Sequence, residues 1–305
     1  MQSDQFQLHG DIESRHWWFV ARRRIIGDLI QRILPPHGDG TRERSLIIDV
    51  GCGTGANLAA LAADYRCIGI DTSEEAVRLA RERFPAVEFR HGRAPDNLAD
   101  CIQDAQLIML NDVLEHVPDD FELLSSILAA ARAGTQFLLT VPADMALWSV
   151  HDESFGHYRR YDMARFARIW QDLPVEPLLL SYFNSRLYPV VRTIRTWNRR
   201  WGKSSGRVGT DFTIPSPVTN RALASCFAGE RHRLGRLIEK GTGRGYRRGV
   251  SLITILRRED GHVSIRTKPD DIAADYFDPQ SKGTPDTAVC IAVDGDESQP
   301  AEVAH

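Results

Sequence analysis

The stretch that decides the fold is SLIIDVGCGTG (45–55), ANLAALAADY (56–65) and RCIGID (66–71). SLIIDV is a short apolar run ending in glycines, which suits a strand buried on both faces. Gly51, Gly53 and Gly55 let the backbone turn tightly and let a ligand approach without meeting a Cβ. The segment behind them reads as a helix, whose N-terminus supplies N–H donors and partial positive charge. RCIGID is then a second strand, ending on Asp71, where a carboxylate can accept both hydroxyls of a ribose.

The same alternation runs outward. SEEAVRLARERF (73–84) is a helix with Ser73 as its N-cap and acids in its first turn. VEFRHG (87–92), AQLIMLND (105–112), GTQFLLTVP (134–142) and GVSLITILRR (249–258) read as strands, and DDFELLSSILAAARAG (119–134) as a helix closed by Gly134. Upstream, HWWFVARRRIIGDLIQRIL carries apolar residues at helical spacing until Pro35-Pro36 stops it. Strands alternating with helices imply a mostly parallel sheet covered on both faces.

Composition narrows the setting. The 305 residues are 42% hydrophobic and 26% charged, as in ordinary globular proteins. Five cysteines, an odd number without paired spacing, argue against a disulfide framework and for a cytoplasmic setting. The first residues lack the basic and apolar regions of a signal peptide, and no apolar run is long enough to span a bilayer. Net charge is −3 but uneven: Arg186 to Arg248 holds fifteen Arg and Lys against three acids, and Glu259 to His305 holds three against eleven. Such a basic block fits an anionic substrate, a membrane surface or nucleic acid, or is simply a solvated helical face.

Two cofactor classes fit the glycine loop. Gly51, Gly53 and Ala56 satisfy the dinucleotide pattern G-x-G-x-x-G/A, with an acid twenty residues on. Asp49, however, would crowd a pyrophosphate with like charge. It suits a cationic ligand such as S-adenosylmethionine, which carries an α-ammonium and a sulfonium and no phosphate.

LIIDVGCGTGANL, CIGIDTSEEAV and LNDVLEHVPD together resemble a class I S-adenosylmethionine-dependent methyltransferase over about residues 45–142, and GVSLITILRR extends the likeness. The resemblance implies an α/β fold: a Rossmann-like, doubly wound, mostly parallel seven-stranded sheet. Residues 1–44 would be a helical lid and 45–258 the methyltransferase domain. A helical substrate cap is expected over about 143–248, and an acidic, largely disordered tail over 259–305, although VCIAV (289–293) could pair somewhere. The resemblance assigns cofactor contacts to Asp49, Gly51, Cys52, Gly53, Gly55, Asp71, Thr72, Arg93, Ala94 and Asn111. In the family the glycine loop cradles the amino-acid part, the acid matching Asp71 holds the ribose, and residues matching Gly92–Ala94 flank the adenine. Arg93 stands where many relatives carry the Asp that meets the adenine amino group. Trp17, Trp18 and Phe19 could cover the pocket or anchor the lead-in helix, and one of Arg22–Arg24 could meet the cofactor carboxylate.

On the substrate side, LNDVLEHVP places Asp112, Glu115 and His116 after a strand. His116 is a candidate general base, with a carboxylate such as Glu115 holding its tautomer. A second cluster, His151-Asp152-Glu153 and Gly156-His157-Tyr158-Arg159-Arg160-Tyr161, lies in a long loop after the fifth strand, where such folds place substrate determinants. It makes His157 an alternative base and His151 a further candidate, and Arg159 and Arg160 could read carboxylate or phosphate. Asp112, Glu115, His116 and His157 also resemble the carboxylate/His set with which some methyltransferases hold a divalent ion, though a metal-free His-base site is favoured. YFNSRLYPVVRTIRTWNRRW (182–201) alternates apolar and basic residues, fitting an anionic membrane surface or a cap helix. The leading expectation is O-methylation of a sugar, lipid-linked or other small metabolite hydroxyl. A metal-dependent RNA ribose 2′-O-methyltransferase, a non-catalytic cofactor-binding subunit and a nicotinamide oxidoreductase are the alternatives.

Overall fold

The computed structural model describes residue 10 and residues 12–36, 43–201, 214–241, 245–272 and 274–278. The sheet has seven strands in the order β3-β2-β1-β4-β5-β7-β6. In chain order they are β1 (Leu46–Val50), β2 (Arg66–Asp71), β3 (Glu88–His91), β4 (Ala105–Asn111), β5 (Gln136–Pro142), β6 (Val175–Phe183) and β7 (Ser251–Arg258). β1 pairs in parallel with β2 and β4, β2 with β3, and β4 with β5, while β7 lies antiparallel to both β5 and β6. The reversal of strand order at β1 and β4 opens a crevice at the carboxyl ends of these strands, where α/β sheets bind ligands.

Because side chains alternate across a strand, β1 feeds two cores. Ile48 and Val50 join Ile68, Ile70, Ile108 and Leu110 under α4 (Asp120–Ala130), with Phe121, Leu124 and Ile127. Ile47 faces the other way, with Leu107, Met109 and Leu138, under α1 (Trp17–Ile33). Ala21, Ile25, Ile26, Leu29 and Ile30 of α1 are all buried, which is the helical spacing read from the sequence. Two further helices pack on this second face beside α1: α2 (Ala56–Ala59), with Leu58, leaves the glycine loop, and α3 (Glu74–Arg83), with Val77 and Ala80, is capped by Ser73, whose hydroxyl accepts from the Ala76 N–H.

The stretch expected to form a cap, 143–248, is more mixed. It contains α5 (Val150–Ser154), α6 (Met163–Ala167), β6, α7 (Tyr188–Arg200), α8 (Pro217–Ala228) and α9 (Arg231–Lys240). β6 is a strand of the main sheet. α8 and α9 pack against α1, with Ala224, Phe227 and Leu234 in the same core as Ile25 and Leu29. Among the described residues of this stretch, those that reach the cavity described below come from the loop after β5, from Asn184 just past β6 and from α7.

The start of the acidic tail is also ordered differently from expectation. After β7 the chain returns across α4, where the Arg266 N–H donates to Ser125 Oγ and the Lys268 N–H to Asp119 Oδ2. Asp275 then pairs with Arg159, and the Phe277 N–H donates to the Tyr158 carbonyl. VCIAV (289–293) lies outside the described residues.

Candidate active site

The glycine loop is built as its sequence requires. Gly51, Gly53 and Gly55 have φ of +69°, +53° and +84°, the left-handed region that costs other residues energy. A Cβ at Gly51 would sit 2.6 Å from Val113 Cγ2, and one at Gly55 would sit 2.6 Å from Phe89 Cζ. A Cβ at Gly53 would meet nothing within 4 Å, so this glycine faces open space. The Gly53 N–H donates to Asp71 Oδ2 at 2.8 Å, and the Ser73 N–H donates to Asp71 Oδ1 at 2.8 Å. Asp71 is thus held at the tip of β2, with the other lone pair of each oxygen still able to accept a hydroxyl. Burial raises its pKa, and backbone donors oppose that shift.

A cavity of about 1270 Å³ runs from this loop toward His151 and His157. It exceeds the roughly 300–1,000 Å³ of single-ligand clefts, so it has room for a cofactor and an acceptor together. Gly51, Cys52, Gly53, Asp71, Thr72, Arg93, Ala94 and Asn111 all line it. Two expected contacts do not. Gly55 packs on Phe89 and starts α2 instead, because its left-handed backbone and missing Cβ are needed for that turn. Asp49 is 1% exposed behind the wall, where Asn111 Nδ2 donates to it at 3.5 Å. Burial pushes its carboxyl up to about 7. Burial also raises the Cys52 thiol, which stays neutral.

α1 closes one side. Trp17, Trp18, Phe19 and Arg22 line the cavity, and the Arg22 guanidinium lies 4.9 Å over the Trp18 ring. Arg22 donates to Asp112 Oδ2 at 2.8 Å and to Thr140 Oγ1 at 2.5 Å, tying the helix to the tips of β4 and β5. Asp112 has φ of +56°, an uncommon backbone for a residue with a Cβ. Arg22 therefore already has a carboxylate partner in the chain, which the sequence had offered to a ligand.

The acceptor side is organised around Asp152, a residue that the reading of the sequence passed over in favour of His151. Asp152 is fully buried and accepts from His157 Nδ1 at 3.0 Å, Arg160 Nε at 2.8 Å and the Ser149 N–H at 2.9 Å. Its pKa falls far below the carboxylate range through Arg160, His157 and Arg195, despite the burial that opposes this. A permanent anion on Nδ1 fixes the His157 tautomer and leaves Nε2 as the acceptor. The signal was present in the sequence: Ser149-x-x-Asp152 is a capping box, and it turns Asp152 back into the loop.

His116 has no such carboxylate. Its ring packs edge-on to His157, with centroids 4.6 Å apart, and desolvation and His157 push its pKa down to about 3. Burial likewise drives His151 well below its usual value, so both rings are neutral near pH 7. Glu115 is fully buried with no hydrogen-bond partner for either carboxylate oxygen, and burial and Asp112 raise its pKa strongly. Glu115, His116 and His157 each offer a ligand atom within 4.8 Å of the others, enough for a divalent ion. Asp112, the fourth member expected, lies outside that group and pairs with Arg22. Arg159 and Arg160 are 5% and 6% exposed and are held by Asp275 and Asp152, so they brace the loop, and Arg160 also lines the cavity.

The chain is similar in sequence to known proteins. A family profile described as a methyltransferase domain matches residues 18–186. A protein of Mycolicibacterium smegmatis named a probable S-adenosylmethionine-dependent methyltransferase is 37% identical over 101 residues, covering 32% of this chain and 37% of that one. Trans-aconitate 2-methyltransferases of Azoarcus sp. and Paracidovorax citrulli are 31% and 32% identical, over 58% and 60% of this chain and 66% and 72% of theirs. The match thus spans from just over a third to nearly three quarters of these relatives' lengths.

Proposed function

The chain belongs to the class I S-adenosylmethionine-dependent methyltransferase family, and we propose that it methylates a hydroxyl of a sugar, lipid-linked or other small metabolite, with His157 as general base. The Asp152–His157 pair carries this reading. S-adenosylmethionine supplies an electrophilic methyl group on a sulfonium. The residues present fit that ligand: Asp71 for the ribose, the Gly53 turn for close approach, and buried Asp49 as negative charge behind the amino-acid end. His157 Nε2 takes the acceptor's hydroxyl proton, and Asp152 stabilises the imidazolium that forms. His116, uncharged and edge-on to His157, holds that ring in place. Most of the rate then comes from positioning, because the methyl is already activated.

The relatives named trans-aconitate 2-methyltransferases raise a carboxylate as the alternative acceptor. A carboxylate is ionised already and needs no proton removed, so a histidine held by a buried anion favours a hydroxyl.

His157→Gln should lower methyl transfer from labelled S-adenosylmethionine into fractionated cell extract by about 10²–10⁴-fold. Cofactor affinity by calorimetry should stay within about twofold, because His157 lies on the acceptor side. Wild-type turnover in this variant would sink the assignment. The unpartnered Glu115 beside His116 and His157 supports a second reading, in which these three bind a divalent ion that activates the hydroxyl. Label lost on chelation and restored by magnesium or manganese would select it.

A further inference from the structure

α7 stands out from the other helices by what it leaves in water. Val190, Ile194 and Trp197 on the helix, and Trp201 just beyond it, are 55%, 50%, 60% and 63% exposed. Their spacing of four, three and four residues puts them on one face of a helix. The Trp197 and Trp201 rings lie 5.8 Å apart and tilted by 33°, extending the apolar stripe to the end of the element. The opposite face is fixed to the domain. Tyr188 is buried and donates to Asp144 at 2.6 Å, Arg192 donates to the Tyr188 hydroxyl at 2.6 Å, and Arg195 donates to the Leu147 carbonyl.

The segment that carries this stripe is basic in sequence, although Arg192 and Arg195 on the fixed face lie 3.6 and 3.8 Å from Asp144 and Asp152. Between Glu176 and Asp211 the sequence holds six arginines and one lysine, and no acid. No helix among the described residues is long and apolar enough to cross a membrane. A short helix with paired tryptophans, an exposed apolar stripe and a basic flanking sequence has the features of one that lies in the plane of a bilayer interface. Two copies meeting through this face would bring like charges together, which opposes self-association.

We propose that α7 docks this protein on an anionic membrane surface, with Val190, Trp197 and Trp201 entering the headgroup region and the positive charge of the segment drawing it to lipid phosphates. The consequence reaches the cavity. Val191, Ile194 and Arg195 of the same helix line it, together with His151 and Phe155. Docking places this rim at the lipid surface, so the acceptor is a hydroxyl carried on a lipid anchor. That last step rests on the methyl-transfer reading, whereas the docking does not.

The test is flotation of the full chain with phosphatidylcholine vesicles, with and without about a third phosphatidylglycerol, at low and high salt. Binding should favour the anionic vesicles by about tenfold and weaken at high salt. A Trp197→Ser, Trp201→Ser double variant should lose about tenfold in partitioning. Its melting temperature and its calorimetric affinity for S-adenosylmethionine should match the wild type, since neither residue lines the cofactor cavity. Flotation equal in the double variant and the wild type overturns the proposal. So does binding to neither vesicle. A dimer that the double variant breaks, or binding to single-stranded RNA in place of vesicles, assigns the surface to another partner and also overturns it. Docking without methyl transfer would leave this surface standing and remove the enzymatic reading; transfer without docking would do the reverse.

Discussion

Asp49 shows how one side chain can couple the fold to its ligand. A carboxyl held at about 7, against 3.8 for a free side chain, carries a cost of about 4 kcal/mol for being ionised above that pH. The folded state keeps a proton that the unfolded chain releases, so stability falls as pH rises from about 4 to about 7. A cation at the glycine loop reverses that balance, because it favours the carboxylate. Affinity for S-adenosylmethionine should therefore rise with the ionised fraction of Asp49, by about tenfold between pH 6 and pH 8. Asp49→Asn should flatten the profile. Calorimetric affinities at three pH values check this, and a wild-type profile already flat across the range would remove Asp49 from cofactor binding. Asp71 is different in kind: its ionised form is served by two backbone donors, and the ligand group proposed for it is a ribose diol instead of a charge.

At the scale of elements, the legible parts were those whose sequence meets one dominant constraint. β1, β2, β4 and β5 are buried by layers on both faces and read as apolar runs, and the glycine loop is forced by positive φ. β6 was not legible. It is an edge strand with alternating burial, opening Val175-Glu176-Pro177, and such strands tolerate polar residues and proline. α8 and α9 read as cap helices because their sequence shows amphipathicity but not which surface receives it. Nor could spacing reveal that Asp152 would serve His157, or that Asp112 would serve Arg22 from 90 residues away. That last pair is what joins α1 to the sheet tips. Arg22→Met should cost about 2–3 kcal/mol in a urea melt, by leaving Asp112 without its cation at a partly buried site. Lysine should not restore the loss, since one ammonium cannot reproduce the planar fork to Asp112 and Thr140. In the cycle with Asp112→Asn, the coupling energy should exceed about 1 kcal/mol. Simple additivity of the two changes would mean that the Arg22–Asp112 pair does not help to hold α1.

Across the whole molecule, residues distant in sequence converge on the loop that carries His157. The loop is braced from below by Arg159, which donates to the carbonyls of Leu114 and Pro118 before the start of α4. From outside it is held by the returning chain, where Asp275 accepts from Arg159 at 2.5 and 2.9 Å and from Lys268 at 2.8 Å. Arg159 and Lys268 hold the Asp275 carboxyl below its usual pKa, although burial opposes them. A depressed carboxyl contributes stability that is present above its unfolded pKa and is lost as pH falls through the lower folded value. Asp275→Ala should therefore destabilise the protein by about 1–3 kcal/mol near neutral pH, and by less in strong acid. The loosened brace lies next to His157, not next to the glycine loop. Its effect should appear as a fall in kcat, with S-adenosylmethionine affinity nearly unchanged. Thermal melts at pH 7 and below 3, run beside steady-state kinetics, separate the outcomes. An unchanged melting temperature at pH 7 would mean that Asp120, 3.7 Å from Arg159, already neutralises it and that the returning chain adds nothing to the loop.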